Sequence, residues 1–264
     1  MTRIGLMLTV LFVVFAAAAF SQEDLNEKDD KGRKHGAWVK KYPNGNIMYE
    51  GEFEHGQPVG EFKRYHSNGE LQAIMYHKNE NRVYTELYDK KGKKRAEGIY
   101  INRDKDSTWS FYNDEGELLS TEQYSDGMRD GKSVKFYSGG DTAQVMRYEN
   151  GKKNGLFTDY FGNGTIQMQG YYDKGELKGR LILFYPDGQK KIVGEYKDNL
   201  KEGEWIYFSE NGDTSEVLNY IEGVPENKDS LDRMETKEIM ELEENEGKFG
   251  DPEEMFYEER NRRR

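Results

Sequence analysis

The chain has 264 residues, with 39 Lys and Arg against 50 Asp and Glu, giving a net charge of -11 at pH 7 and an isoelectric point near 5.1. That balance opposes non-specific attraction to nucleic acid and disfavours binding to anionic membrane lipid, and the lack of cysteine excludes disulfides, thiol nucleophiles and thiol-linked lipid. Only 34% of residues are hydrophobic, yet 19 are tyrosine and 29 glycine, a composition that argues against a compact aliphatic globule and suits a thin sheet covered by rings and by the stems of Lys and Arg.

Met1-Thr2-Arg3 is a short basic start, Ile4 to Ala19 is an apolar run, and Ala19 and Ser21 are small residues at the positions a signal peptidase reads. Residues 1–21 therefore read as a secretory signal, the alternative being an uncleaved anchor, for which about 16 apolar residues is short. The expected location is outside the cytoplasm: periplasmic, outer-envelope or secreted. Residues 22–35 are polar, charged and without period, and are expected as a flexible lead-in.

From Gly36 to Gly223 the chain repeats itself. Units start at Gly36, Gly60, Val83, Ser107, Gly131, Gly155, Gly179 and Gly203, 24 residues apart except for 23 between Gly60 and Val83. Nine places into each unit stands a glycine: Gly45, Gly69, Gly92, Gly116, Gly140, Gly164, Gly188 and Gly212. Seventeen places in stands a ring: Phe53, His77, Tyr100, Tyr124, Tyr148, Tyr172, Tyr196 and Tyr220. Two strand-like runs flank each glycine, so a unit reads as one β-hairpin and a return loop, and eight such units in series predict a solenoid in which each buries its faces on its neighbours.

Two places into the first strand of a unit come Trp38, Phe62, Trp109, Phe157, Leu181 and Trp205, with Thr85 and Ser133 as exceptions; five places in come Tyr65, Tyr88, Tyr112, Phe136, Tyr160, Phe184 and Phe208. Alternation along a strand puts these two sets on opposite faces. The hairpin tip admits two readings. A two-residue type I′ turn pairs Phe157 with Gly170, Trp38 with Gly51 and Ser133 with Met146. A type I turn closed by a left-handed glycine, which Pro43-Asn44-Gly45 and Pro186-Asp187-Gly188 favour, pairs Tyr160 with Ile166, Trp38 with Glu50, Trp109 with Thr121 and Phe157 with Gln169. The second register is preferred, and it makes the side bearing Trp38, Trp109, Phe157 and Trp205 the wetter one. Large rings on a wet face anchor interfaces, so these four are the candidate interaction surface.

The segment Tyr49-Glu-Gly-Glu-Phe-Glu-His-Gly-Gln-Pro-Val-Gly-Glu-Phe62 resembles a MORN repeat, whose pattern is Tyr-x-Gly-x-aromatic-x-x-Gly-x-x-x-Gly, and Val193 to Trp205 and Gln169 to Gly179 are similar to it. The units lack the Gly-x-Gly ending of the standard repeat and add an Asn/Asp-Gly turn, which brings them closer to the bacterial variant grouped with YwqK-type antitoxins. The third unit departs most, with Val83 and Thr85 where Gly and an aromatic are expected. The resemblance implies an all-β, single-layer solenoid of about eight antiparallel hairpins over 36–223, ~75 Å long at ~4.8 Å per strand.

Residues 224–264 carry 14 acidic and 8 basic residues, ending in Arg260-Asn-Arg-Arg-Arg264. Asp229 to Glu246 is compatible with a helix bearing Leu231, Met234, Ile239, Met240 and Leu242 on an imperfect stripe, so this tail is expected to be partly helical or disordered. It either caps the edge of the last unit or offers Glu253 to Glu258 to a partner.

Chemistry is sparse. His35, His55, His66 and His77 show no ligand spacing, and no P-loop, dinucleotide fingerprint or nucleophile elbow occurs. No metal, cofactor or catalytic residue is expected. The function expected is that of an exported, non-enzymatic repeat scaffold for protein–protein or cell-envelope interaction. The alternatives are an antitoxin-like binding protein of the YwqK type and an extracellular protein that binds or degrades carbohydrate polymer with exposed rings as stacking platforms.

Overall fold

The computed structural model describes residues 25–79 and 81–226. The expected signal and the helix-compatible stretch at 229–246 lie outside the described residues. The first hairpin joins β1 (Gly36–Lys41) to β2 (Ile47–Glu54), the second β3 (Gln57–Tyr65) to β4 (Leu71–His77), and the third β5 (Arg82–Tyr88) to β6 (Lys94–Ile101). The fourth joins β7 (Asp104–Tyr112) to β8 (Leu118–Ser125) and the fifth β9 (Met128–Phe136) to β10 (Thr142–Glu149). Next, β11 (Lys152–Lys153) leads into β12 (Gly155–Tyr160), which pairs with β13 (Ile166–Asp173), and β14 (Glu176–Leu177) leads into β15 (Gly179–Phe184), which pairs with β16 (Lys190–Lys197). Finally β17 (Leu200–Phe208) pairs with β18 (Thr214–Ile221), and β19 (Val224–Pro225) lies on the far side of β18.

All pairing is antiparallel and follows chain order, each hairpin passing its second strand to the first strand of the next. The result is one open all-β sheet of 19 strands, with no helix among the described residues. Residues 25–35, read from the sequence as a flexible lead-in, instead lie along β1. Asn26 donates its N–H to the Ala37 carbonyl at 2.8 Å, and its side-chain oxygen accepts from the Val39 N–H at 3.0 Å.

The hairpin tips take the expected three-residue loop, and a bulge just beyond them corrects the expected register. Tyr42 N–H donates to the Asn46 carbonyl at 2.8 Å and Gly45 N–H to the Tyr42 carbonyl at 2.9 Å, a three-residue loop closed by a left-handed glycine. All eight tip glycines have φ between 77° and 95°, and near the tip Tyr65 faces Leu71 and Tyr160 faces Ile166, as that loop requires. One residue further each hairpin takes in a β-bulge, at Gln167 for instance, which returns the rest of the strand to the two-residue register. Phe157 therefore faces Gly170, Trp38 Gly51, Ser133 Met146 and Trp109 Glu122, not Gln169, Glu50 and Thr121. The bulge reconciles turn chemistry with the match of large against small side chains.

Type I′ chemistry is used at the return loops. His55-Gly56, Asn150-Gly151 and Lys174-Gly175 each carry positive φ at both residues. These turns also bond to one another: Gly151 N–H reaches the Arg129 carbonyl, Gly175 N–H the Lys153 carbonyl and Gly223 N–H the Lys201 carbonyl, at 2.8 to 2.9 Å. On the opposite edge the tips bond in the same way, through Tyr42 Oη to the Tyr65 carbonyl and Tyr185 Oη to the Phe208 carbonyl at 2.8 and 2.7 Å. The second unit, from Gly60, has one residue fewer, and β4–β5 at its end is the junction whose pairing runs without the two-residue shift seen elsewhere.

The core lies on one face. Trp109 and Trp205 are fully buried, with Phe111, Leu181, Leu183, Ile192, Met146 and Phe157 beside them. Trp109 lies over Gly98 and Trp205 over Gly194 so closely that a Cβ there would stand 2.3 and 2.2 Å from the ring. Each indole N–H is satisfied by the carbonyl one residue on, Ile99 at 3.0 Å and Glu195 at 3.2 Å. Burying two large rings on a single sheet thus depends on bare backbone beneath them.

Candidate interaction surfaces

The four rings expected as an interaction surface sit in this core. Trp109, Trp205 and Phe157 are sealed, and Trp38, at the β1 end, is half-buried with its indole N–H donating to the Glu27 carbonyl at 2.9 Å. Their side is the drier of the two, contrary to the expectation drawn from the three-residue-loop register: Trp38 and Phe157 face a glycine within their own hairpins, and Trp109 and Trp205 lie over Gly98 and Gly194 of the preceding hairpins.

Cations cover the rings. The Lys105 ammonium, itself buried, lies 4.7, 4.8 and 4.9 Å from the centroids of Trp109, Phe111 and Tyr124. Lys201 lies 4.5 and 4.6 Å from Trp205 and Tyr220, and Lys34 sits over Trp38, Tyr49 and Phe53. A desolvated cation on a ring face is attracted by the ring quadrupole, and its stem shields the ring edge from water. Sequence reading missed these residues, although the signal is present: Lys34, Lys105, Arg129, Lys153 and Lys201 each stand two places before a unit start, where Pro58, Asn81 and Leu177 stand before the other three.

The opposite face carries a continuous cross-strand row along its middle. Successive pairings run Val39, Glu50, Lys63, Ile74, Glu86, Glu97, Ser110, Thr121, Val134, Val145, Thr158, Gln169, Ile182, Val193, Ile206 and Val217. All are half-buried except Val217, which is exposed.

The first half of this row is polar and ionised. Glu86 and Glu97 face each other directly, an opposition of like charges that the Lys94 ammonium relieves by pairing with both. Tyr84 and Tyr112 donate to the two oxygens of Glu97, and Tyr88 donates to Glu86. Burial raises the Glu97 carboxyl, but hydrogen bonds from Lys94, Tyr112 and Tyr84 outweigh it and hold the group at about 2. Burial and the hydrogen bond to Glu97 push the Tyr84 phenol upward, and burial with the bond to Glu86 does the same to Tyr88. This patch is a closed ionic network whose donors are engaged.

The second half is apolar apart from Thr158 and Gln169, which pair with each other in its middle. Val134, Val145, Ile182, Val193, Ile206 and Val217 form its spine, with Phe136, Tyr160, Phe184 and Phe208 flanking on one side. On the other side Leu156 and Tyr171, paired across strands, are both exposed. Among the described residues no group of three His, Asp or Glu side chains is placed to hold a metal ion.

None of the curated proteins matches the chain. Among solved structures, a mutant of S. aureus TarM in complex with fondaparinux, alpha-GlcNAc-glycerol and UDP is 11% identical over 36% of this chain and 19% of that one, with a TM-score of 0.29. The GtfA/B complex bound to UDP and GlcNAc is 14% identical over 44% of this chain and 22% of that one, at 0.20. TcdB2-TccC3-Cdc42 is 10% identical over 74% of this chain and 12% of that one, at 0.20. The chain thus spans under a quarter of each, and likenesses this slight carry no argument about function. The MORN repeat variant matches this chain at residues 34–55, 58–79 and 153–174, in each case beginning two residues before a unit start, at Gly36, Gly60 and Gly155.

Proposed function

We infer that this chain is an exported, non-enzymatic scaffold, a solenoid of eight MORN-like hairpin units that binds a protein of the cell envelope through the apolar half of its outer face. The observation that carries the reading is the half-exposed run Ile182, Val193, Ile206 and Val217, which Val134 and Val145 extend beyond Thr158 and Gln169, on a sheet whose other face is already filled by its own rings and lysines. A flat ridge of β-branched side chains flanked by rings offers a partner desolvated contact area. The period, the stacked return turns and the variant-repeat matches support the solenoid, and the basic start and apolar run of residues 1–21 support export.

The test replaces Ile182 and Ile206 by Lys in the full chain and compares capture from an envelope extract, with circular dichroism to verify folding. Loss of a specific captured protein with the fold intact supports the reading; unchanged capture defeats it. N-terminal sequencing of protein from the native fraction tests export, since a cytosolic product retaining Met1 is incompatible with it. A cytosolic partner would instead favour the YwqK-type antitoxin role that the same resemblance implies.

A further inference from the structure

The two ends of the sheet are unequal. At β1 the outer edge is covered by residues 25–35, through the Asn26 bonds to Ala37 and Val39 and a bridge between Lys28 and Lys34. At β18 only the last turn is covered, by β19 pairing at Tyr220 and Ile221 and by the Glu226 N–H on the Asn219 carbonyl at 2.9 Å. From Thr214 to Leu218 the outer edge has no strand neighbour among the described residues.

Exposed apolar side chains gather at this end. Of the eight large hydrophobic residues that are exposed among the described residues, Leu200, Val217, Ile221 and Val224 belong to β17–β19. Ile221 and Val224 pair across the turn at Gly223, and Leu200 packs within reach of that glycine. The cause is a missing neighbour: Val193 is flanked by Ile182 and Ile206, whereas Val217 has Ile206 alone.

The same end is strongly acidic. Residues 200–226 hold seven carboxylates, Glu202, Glu204, Glu210, Asp213, Glu216, Glu222 and Glu226, against one cation, Lys201, which lies over Trp205 and Tyr220. An apolar edge ringed by carboxylates calls for a cover that is apolar and basic. Two copies meeting at β18 would set these carboxylates against each other, which disfavours self-association.

We propose that residues 255–264 of this chain are that cover. Met255-Phe256-Tyr257 supplies three large apolar side chains, and Arg260, Arg262, Arg263 and Arg264 supply four cations against Glu258 and Glu259, a net basic and apolar combination that matches the exposed cluster and its acidic rim. The described chain ends at Glu226, on this edge, and the 28 residues from 227 to 254 give a tether whose contour, up to ~3.3 Å per residue, is long enough to reach any point of it. Such a tether holds the segment at about millimolar effective concentration. Docked there, it closes the one strand edge that would otherwise template pairing with another chain, as terminal caps do in repeat arrays.

Hydrogen exchange of the Thr214–Leu218 amides in the full chain tests this, alongside Phe256→Ala with Tyr257→Ala and alongside Arg262→Glu, Arg263→Glu and Arg264→Glu. The expected result is protection that is independent of protein concentration and falls about tenfold or more in either variant, with partial recovery when Glu204→Lys and Glu216→Lys accompany the arginine changes. Fast exchange in the parent chain overturns the proposal, as does protection that both variants retain. Protection lost on dilution also overturns it, by assigning the edge to a second copy.

Discussion

On one face of the sheet Trp109 and Trp205 lose all contact with solvent although no second layer lies over them among the described residues, while on the other Ser110 and Ile206 stay half-exposed on the same strands. The contrast lies in what stands opposite. On the ring face the cross-strand partner is reduced to glycine, so the ring lies on backbone and a lysine closes over it. On the outer face the partners are β-branched or polar and stand side by side, shielding one another only in part. A single-layer sheet thus makes a core by leaving bare backbone beneath its largest rings, and its other face stays open to solvent.

The sharpest way to break this comparison is to remove a ring. Trp205→Ala and Trp109→Ala are each expected to cost about 3–5 kcal/mol, measured by denaturant unfolding, whereas Ile206→Thr on the same strand as Trp205 is expected to cost well under half of that. Equal and small losses would mean that the two faces do not differ as described.

Filling the floor beneath a ring comes next. Gly194→Val or Gly98→Val places atoms where the indole now lies and is expected to cost about 1–3 kcal/mol through overpacking. A tip glycine offers a control: Gly164 has open space around its missing side chain but a φ of 82°, so valine there strains the backbone and leaves near-ultraviolet signals from tryptophan unchanged. If Gly194→Val also leaves those signals unchanged, the ring does not rest on that glycine.

The lysine lids come third. Lys105→Ala is expected to cost up to about 2 kcal/mol, combining lost cation–π attraction with lost cover over Trp109 and Phe111. Lys105→Met keeps the stem and separates the two. Recovery of stability by Met would assign the lid to packing, and the absence of recovery would assign it to charge.

How far the sequence carried the fold is clear from particular residues. The 24-residue period and the glycine nine places into each unit sufficed for hairpins, strand order and tip conformation, because Pro43-Asn44-Gly45 and Pro186-Asp187-Gly188 specify a turn locally. The bulge one residue beyond each tip has no such mark: Gln167, Met48 and Lys191 share no chemistry, and the bulge is selected by the match of Phe157, Trp38 and Leu181 to a glycine three residues further along. Missing it inverted the assignment of wet and dry faces, and with it the candidate surface. The lysine lids repeat every 24 residues from Lys105 to Lys153 through Arg129, but a basic residue next to a return turn resembles ordinary surface charge until the ring beneath it is seen. The apolar half of the outer row was hidden for a different reason. Val193, Ile206 and Val217 become one surface only through pairing across three strands.

The smallest expected effect concerns the polar half of that outer row, where the network around Glu97 makes stability depend on pH. The Glu97 carboxyl is held at about 2 in the folded chain against an ordinary 4.5. A group whose folded value is depressed contributes stability that is fully present above its unfolded value and is lost as pH falls toward the folded one. The contribution is therefore complete above about pH 4.5 and disappears between there and about pH 2. Glu97→Gln, which keeps the shape and one acceptor, should lower the melting temperature slightly at neutral pH and flatten its acid dependence in that window. Because Tyr84 and Tyr112 are both donors to Glu97, Tyr84→Phe should narrow the window from below by letting the carboxyl rise toward its ordinary value. An acid profile identical in the parent chain and in Glu97→Gln would show that the network is screened by solvent and that the polar half of the face, like the apolar half, contributes little to holding the sheet together.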